Sequence, residues 1–200
     1  MESASSKAER TRRYIIEKTA GVFNTKGFAG TSLSDITEAT GLTKGSIYGN
    51  FESKEAVAVA VFDHNHAQVV KEVTRQMEKA AGYYEKLMVY AQTYSRFVRN
   101  NYPEGGCPIL NTAVEADDTN GLLKQRAAAA VLGWKKNIEL LIRGGVTAGE
   151  FKQGIDAAQL ALSIIALIEG GIMIARVTDS PRHLHKVLKT VEWILNGIRL

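Results

Sequence analysis

The side chains best suited to chemistry in this sequence lie close together, in the segment 43–48. It reads Thr-Lys-Gly-Ser-Ile-Tyr. The Lys44 ammonium and the Ser46 and Tyr48 hydroxyls are hydrogen-bonding groups of the kind that contact phosphate oxygens and base edges. Gly45 lets a backbone approach a partner closely, and the first amides of a helix bind phosphate. The segment therefore predicts contact with a nucleic acid.

The surrounding residues 32–51 predict two short helices that present this segment. Ser32 is the expected hydroxyl of a capping box at the start of the first helix, with Thr31 as the alternative cap one residue earlier. Gly41 is free to take a positive φ in the turn. Thr43 then caps the second helix, over 43–50. Apolar positions on both helices supply their mutual packing. The arrangement is typical of a helix-turn-helix, whose second helix enters a DNA groove.

A second interpretation is a structural helical corner, in which Lys44 and Lys54 are only solvated. The charge balance does not decide, because residues 1–60 hold eight Lys or Arg and seven Asp or Glu. Lys54, at the start of the next helix, is placed to reach a phosphate. The remaining cationic group is a cluster on the first helix that either faces phosphate or forms a solvated face: Lys7, Arg10, Arg12 and Arg13.

Helical periodicity and sparse proline indicate an all-α chain. The three prolines stand at 103, 108 and 181, and no run alternates as a strand does. Gly27 is the expected stop of the first helix, and Ser53 is the expected cap of the fourth. Besides the two short helices, the predicted helices span 7–26, 53–80, 82–100, 109–117, 120–144, 156–178 and 182–198.

Composition sets the protein class. The chain has 200 residues, 45% of them hydrophobic, with a formal charge of +4 and one cysteine. These values exclude a disordered chain and an internal disulfide framework, and they allow a nucleic acid partner without requiring one. Residues 1–6 lack an apolar stretch, so no secretory signal and a cytoplasmic location are expected.

The segment 157–177 is long and apolar enough to suggest a membrane span. Glu169, Gln159 and the Gly170-Gly171 pair interrupt it, and an ionised carboxylate is costly in a bilayer. We therefore expect a helix buried against protein and no membrane partner. Arg176 and Arg182 are the candidate partners of Glu169.

Catalytic and metal motifs are not evident. His64 and His66, like His183 and His185, are spaced i, i+2, which points the rings to different helix faces. A phosphate-binding glycine loop, a nucleophile elbow and a zinc helix are all missing from the sequence. We expect no enzyme activity, no cofactor and no metal site.

Four motifs between Arg10 and Ala56 occur in a characteristic order. They are Phe-Asn-Thr-Lys-Gly-Phe at 23–28, Thr-Ser-Leu-Ser-Asp-Ile at 31–36, Gly-Leu-Thr-Lys-Gly-Ser-Ile-Tyr at 41–48, and Phe51 with Ser-Lys-Glu at 53–55. This block closely resembles the DNA-binding domain of TetR-family transcriptional regulators. The resemblance implies a homodimer that binds a palindromic operator, usually as a repressor, with a divergent C-terminal domain that holds a small-molecule pocket.

By this resemblance the DNA-binding domain covers 1–52, and the ligand-binding and dimerisation domain covers 53–200. The DNA contacts implied by analogy fall at Thr31, Ser32, Thr43, Lys44, Ser46, Tyr48 and Lys54. Without DNA binding, the alternative is an all-α small-molecule-binding protein or adaptor.

Three positions depart from the family pattern. Thr37 stands where Ala usually packs against the recognition helix, which loosens that fit. Gly49 and Asn50 replace bulkier residues, and Gly49 costs about 1 kcal/mol of helix propensity relative to Ala. Asn50 can still bond a phosphate.

Aromatic and sulfur side chains in the middle of the chain suit either an ordinary core or an apolar pocket with a few hydrogen-bonding groups. Cys107 precedes Pro108, which predicts that it caps the 109–117 helix. A thiol there is either a reactive electrophile sensor or a small buried side chain. The candidate pocket residues are Phe62, Tyr83, Tyr90, Tyr94, Phe97, Cys107, Trp134 and Met173.

The last two predicted helices, 156–178 and 182–198, are the expected dimer interface. The first is too rich in Ala, Ile and Leu to stay exposed on a monomer. In the resembled family these two helices form a four-helix bundle with their symmetry mates.

Overall fold

The computed structural model describes residues 6–100 and 103–200, and in these ranges the regular elements are nine helices. The expectation about a secretory signal falls largely on residues 1–5, outside the described residues. The all-α prediction is confirmed. The helices are α1 (Lys7–Gly30), α2 (Leu33–Thr40), α3 (Lys44–Tyr48), α4 (Lys54–Met77), α5 (Tyr83–Asn100), α6 (Pro108–Ala116), α7 (Gly121–Thr147), α8 (Ala157–Val177) and α9 (Pro181–Ile198).

Helix α1 begins at a capping box and is broken where the sequence predicts its end. Ser6 accepts a hydrogen bond from the amide of Glu9, and the Glu9 carboxylate accepts from the amide of Ser6. Gly27 has φ 72° and ψ 179°, so the helical backbone stops there although a last turn extends to Gly30. The buried face includes Ile15 and Phe23.

The two short helices form as the caps and the turn glycine predict. Ser32 caps α2, Gly41 ends it in the left-handed region at φ 68°, and Thr43 caps α3. Ile36 of α2 and Ile47 of α3 are fully buried, and the two helices contact each other. Helix α3 is shorter than predicted, because it ends at Tyr48.

The chain divides into two compact units. The first consists of Met1–Gln68 and Pro103–Ala127, and the second of Val69–Tyr102 and Ala128–Leu200. Within the first unit α1 packs against α2 and α6. The compact unit that contains the helix-turn-helix therefore extends past residue 52. The domain boundary at that residue stays a prediction.

The second unit is built on α5, α8 and α9, which pack against one another. Ile168 and Ile172 of α8 and Leu184 and Leu195 of α9 are among its fully buried side chains. Among the described residues, α8 is the one helix long and apolar enough to cross a membrane, and 39% of its apolar window is buried inside this chain.

We expect Gly41→Ala to lower the free energy of unfolding by about 1 kcal/mol, because an L side chain is strained in the left-handed region. A Cβ at Gly41 meets no atom within 4 Å, so the effect isolates backbone conformation. Urea denaturation followed by circular dichroism measures it. The control is Gly133→Ala in α7, where a Cβ also meets nothing and helix propensity rises. Equal stability of Gly41→Ala and wild type would contradict the turn's role.

Candidate nucleic-acid interface

Helix α3 buries one face and leaves the other open. Ile47 is fully buried, whereas Lys44 is exposed and Tyr48 is 48% exposed. Thr43 and Gly45 are also exposed, and Ser46 is half-buried. The structure therefore brings five of the predicted contact residues onto or beside one accessible surface.

Thr43 and Ser32 also serve as caps. The Thr43 hydroxyl accepts a hydrogen bond from the amide of Ser46 at 3.2 Å. The Ser32 hydroxyl accepts from the amide of Asp35 and donates to the Asp35 carboxylate. Both residues are exposed, so capping does not remove them from the surface.

Thr31 lies apart from this surface. Its side chain is 0% exposed, and its hydroxyl donates to the carbonyl of Gly27 at 2.6 Å. A direct DNA contact by Thr31 is therefore not available in this structure. The resemblance implied a DNA contact at Thr31, but its hydroxyl points inward and donates to the carbonyl of Gly27 at the break in α1.

Asn50 and Arg12 hold the end of α3. The Asn50 side-chain amide donates to the carbonyl of Ser46, and the Arg12 guanidinium donates to the carbonyl of Asn50 at 2.7 Å. The same guanidinium lies 4.0 Å from the centre of the Phe51 ring, a cation–π contact. Arg12, one of the cations considered for phosphate, therefore also anchors the segment that follows α3.

Lys54 is engaged inside the first unit. Its Nζ donates to the carbonyls of Phe28 at 2.7 Å and Thr31 at 2.9 Å, and lies 4.3 Å from the centre of the Phe28 ring. The ammonium that was predicted to reach a phosphate thus contacts two carbonyls and an aromatic ring within the protein. Two of its three donors are therefore used within the protein, and its contact with a phosphate stays a prediction.

Sequence reasoning missed Glu115, whose carboxylate accepts the amides of Phe28 and Ala29. It also missed Asn24 and Asn111, which join α1 to the segment before α6. Periodicity could not reveal these partners, because 87 residues separate Phe28 from Glu115. The one local signal is Gly27, whose missing side chain makes room for the carboxylate.

A charged pair supports the start of α2. Lys26 Nζ lies 2.6 Å from the Asp35 carboxylate, which also accepts the amide and hydroxyl of Ser32. The Lys26 hydrogen bond, followed by those from Ser32, holds the pKa of the Asp35 carboxyl well below its usual range.

Four of the predicted pocket residues form one aromatic cluster in the second unit. The ring centroids of Tyr94 and Trp134 lie 5.1 Å apart, those of Tyr90 and Trp134 5.8 Å, and those of Tyr94 and Phe97 5.8 Å. All four side chains are buried, and burial raises the pKa of the Tyr90 phenol. The Trp134 indole nitrogen is buried without a hydrogen-bond partner among the described residues.

The other predicted pocket residues are scattered. Phe62 stacks on His66 in the first unit, where Cys107 is the buried N-cap residue of α6. Tyr83 begins α5, and a Cβ at Gly144 would overlap its ring. Met173 is 53% exposed on α8, so it is not part of the aromatic cluster. Sensing by the Cys107 thiol stays a prediction.

Within the described residues, His, Cys, Asp and Glu form no group able to hold a metal ion. The partner of Glu169, predicted as Arg176 or Arg182, stays a prediction.

Two family models match the chain. The model of bacterial regulatory proteins of the tetR family matches residues 15–61, and that of the tetracyclin repressor-like C-terminal domain matches residues 84–191. The HTH-type transcriptional regulator TtgR of Pseudomonas putida is 30% identical, covering 96% of this chain and 93% of that relative. The HTH-type transcriptional repressor DhaR of a Mycobacterium species is 26% identical, covering 90% and 89%.

Solved structures match over the full length. A TetR-family transcriptional regulator from Cytophaga hutchinsonii has a TM-score of 0.95 and 48% identity, covering 99% of both chains. A TetR transcriptional regulator from Chloroflexus aurantiacus has a TM-score of 0.93 and 36% identity, covering 97% of this chain and 98% of that one.

We expect Asp35→Asn to destabilise the protein most at neutral pH. Because folding lowers the Asp35 pKa from 3.8, its stabilisation is fully present above about pH 4 and is lost as the pH falls toward the folded value. The difference in urea midpoint between wild type and Asp35→Asn should therefore shrink between about pH 6 and about pH 3. Glu38→Gln, an exposed carboxylate on the same helix, is the control. A difference independent of pH would refute the assignment.

Proposed function

Because the chain belongs to the TetR family of bacterial transcriptional regulators, we propose that it represses transcription by binding a palindromic operator as a homodimer and that a small-molecule inducer releases it. Membership makes it a transcription regulator with a DNA-binding helix-turn-helix, in a non-enzymatic family. The prediction that it is not an enzyme is thereby confirmed. Operator, inducer, dimer and cytoplasmic location belong to the proposal.

The observation that carries the proposal is the open face of α3. Lys44 and Tyr48 project from a helix whose opposite side, at Ile47, is fully buried. A short helix held this way presents a cation and hydroxyls to phosphates and base edges. The relative DhaR is a transcriptional repressor, which supports repression as the outcome.

Apolar side chains on α8 and α9 support the homodimer. Val177 is 77% and Trp193 74% exposed, and Leu162 and Ile174 are exposed as well. Such a surface suits an interface with a second copy. A two-fold dimer places its recognition helices about 34–36 Å apart, one turn of the duplex, which is why the operator is expected to be palindromic.

The aromatic cluster supports a small-molecule inducer. The buried side chains of Tyr90, Tyr94, Phe97 and Trp134 are of the type that lines ligand pockets, and the indole nitrogen of Trp134 is a donor that a ligand acceptor would satisfy. A ligand that binds more tightly to a conformation whose recognition helices do not match the operator spacing shifts the dimer away from DNA. The size of the shift is set by the difference in the ligand's affinity for the two conformations.

The test of DNA binding uses a duplex selected from a randomised library by the wild-type protein, with fluorescence anisotropy over a range of salt concentrations. We expect Lys44→Ala and Tyr48→Ala to weaken binding. Lys44→Ala should also reduce the slope of log Kd against log salt by about one, because one phosphate contact is lost.

Lys136→Ala is the matched control, since Lys136 is an exposed lysine on α7. It should leave both affinity and slope unchanged. If wild type selects no duplex, the proposed function fails; if Lys44→Ala and Tyr48→Ala bind as wild type does, α3 is not the reading helix.

We expect sedimentation to show a dimer at micromolar concentration and Trp193→Glu to weaken it, because the variant places a charge on the apolar surface of α9. Leu132→Glu, at an exposed leucine on α7, is the control and should remain dimeric. A wild-type monomer would refute the interface.

A further inference from the structure

The residues between the break in α1 and the start of α2 connect the helix-turn-helix to the rest of the first unit. We call residues 27–31 the α1–α2 joint. Gly27, at φ 72°, removes the joint from regular helical hydrogen bonding. Its backbone donors and acceptors then need partners other than those of a regular helix, either protein groups or, at the exposed Ala29 and Gly30, water.

A carboxylate from α6 binds the donors of the joint. The Glu115 Oε2 and Oε1 atoms accept the amides of Phe28 and Ala29, each at 2.8 Å. A Cβ at Gly27 would overlap this carboxylate, so glycine is required by both the backbone angle and the close approach. Hydrogen bonds to an ionised group are stronger than neutral ones, and two of them fix the carboxylate in place.

An ammonium from α4 binds the acceptors of the same joint. Lys54 Nζ donates to the carbonyls of Phe28 and Thr31, and the Thr31 hydroxyl donates to the carbonyl of Gly27. The joint thus lies between a negative group on its amide side and a positive group on its carbonyl side. We call Glu115 and Lys54 the charge clamp.

A second attachment ties α6 to α1 one turn earlier. The buried Asn24 side chain donates to the carbonyls of Glu104 and Gly106, at 2.6 and 2.9 Å. Asn111 of α6 donates in turn to the carbonyls of Asn24 and Gly105. Helix α6 and the segment before it are thus attached to α1 on both sides of the break.

We propose that Glu115 and Lys54 are positioning residues for DNA binding: the charge clamp holds the α1–α2 joint and through it sets the orientation of α2 and α3. The inference rests on the proposed function for what α3 binds. The clamp itself is measurable without DNA.

The sign of one substitution separates positioning from simple electrostatics. Glu115→Gln removes a negative charge, which by charge alone would tighten binding to DNA. The clamp predicts the opposite, a loss of about tenfold in affinity for the selected duplex. The glutamine side chain has only one acceptor oxygen for the two backbone amides of Phe28 and Ala29. Glu115→Asp, which keeps the charge on a shorter side chain, should give an intermediate loss.

Asp118→Asn is the matched control, because it removes an exposed carboxylate three residues along the chain. It should bind as tightly as wild type or slightly more tightly. Affinity of Glu115→Gln equal to or above that of wild type would overturn the proposal.

Lys54→Met separates the clamp from a phosphate contact. Both roles predict weaker DNA binding, but loss of a phosphate contact lowers the salt slope by about one, whereas loss of the clamp leaves the slope unchanged. A reduced slope would return Lys54 to the DNA surface and overturn its place in the clamp.

Hydrogen exchange tests the clamp without DNA. In Glu115→Gln we expect faster exchange at the amides of Phe28 and Ala29 and across α2 and α3, with α8 and α9 unchanged. Unchanged exchange in α2 and α3 would overturn the inference even if DNA binding is confirmed. A wild-type protein that selects no duplex would overturn the proposed function, and the exchange result would still decide the clamp.

Discussion

The backbone break at Gly27 is the constraint on which the helix-turn-helix depends. The break in α1 leaves backbone amides and carbonyls without their helical hydrogen bonds. Such groups are costly when they are buried without a partner. Glu115 satisfies two amides, and Lys54 satisfies two carbonyls. The position of the DNA-binding helices is therefore decided partly by residues outside them, on α4 and α6.

This division of roles explains how a nearly neutral N-terminal region can serve a DNA-binding family. Residues 1–60 carry eight basic and seven acidic side chains. Some of the basic groups bind within the protein: Arg12 holds the carbonyl of Asn50, and Lys54 holds the joint. Lys44 remains exposed on α3. DNA recognition by this protein then depends on a few well-placed groups rather than on bulk charge.

The second unit has a different organisation. Its helices α5, α8 and α9 pack on fully buried aliphatic side chains, yet α8 and α9 keep apolar groups such as Val177 and Trp193 on the surface. Only part of the apolar surface that made α8 a candidate membrane span is thus buried within one chain. The proposed interface with a second copy would cover the remainder.

The sequence by itself determined the helices, their caps and the turn at Gly41, because each depends on residues within a few positions of one another. Gly27 was recognised as a stop on the same grounds. The family resemblance nevertheless implied DNA contacts at Thr31 and Lys54, and the sequence analysis grouped Met173 with the aromatic residues. Only the tertiary structure shows that Thr31 and Lys54 donate to carbonyls at the joint, that Met173 is 53% exposed, and that Glu115 reaches the joint across 87 residues. Local periodicity holds no record of such partners, because they meet only when α6 packs on α1.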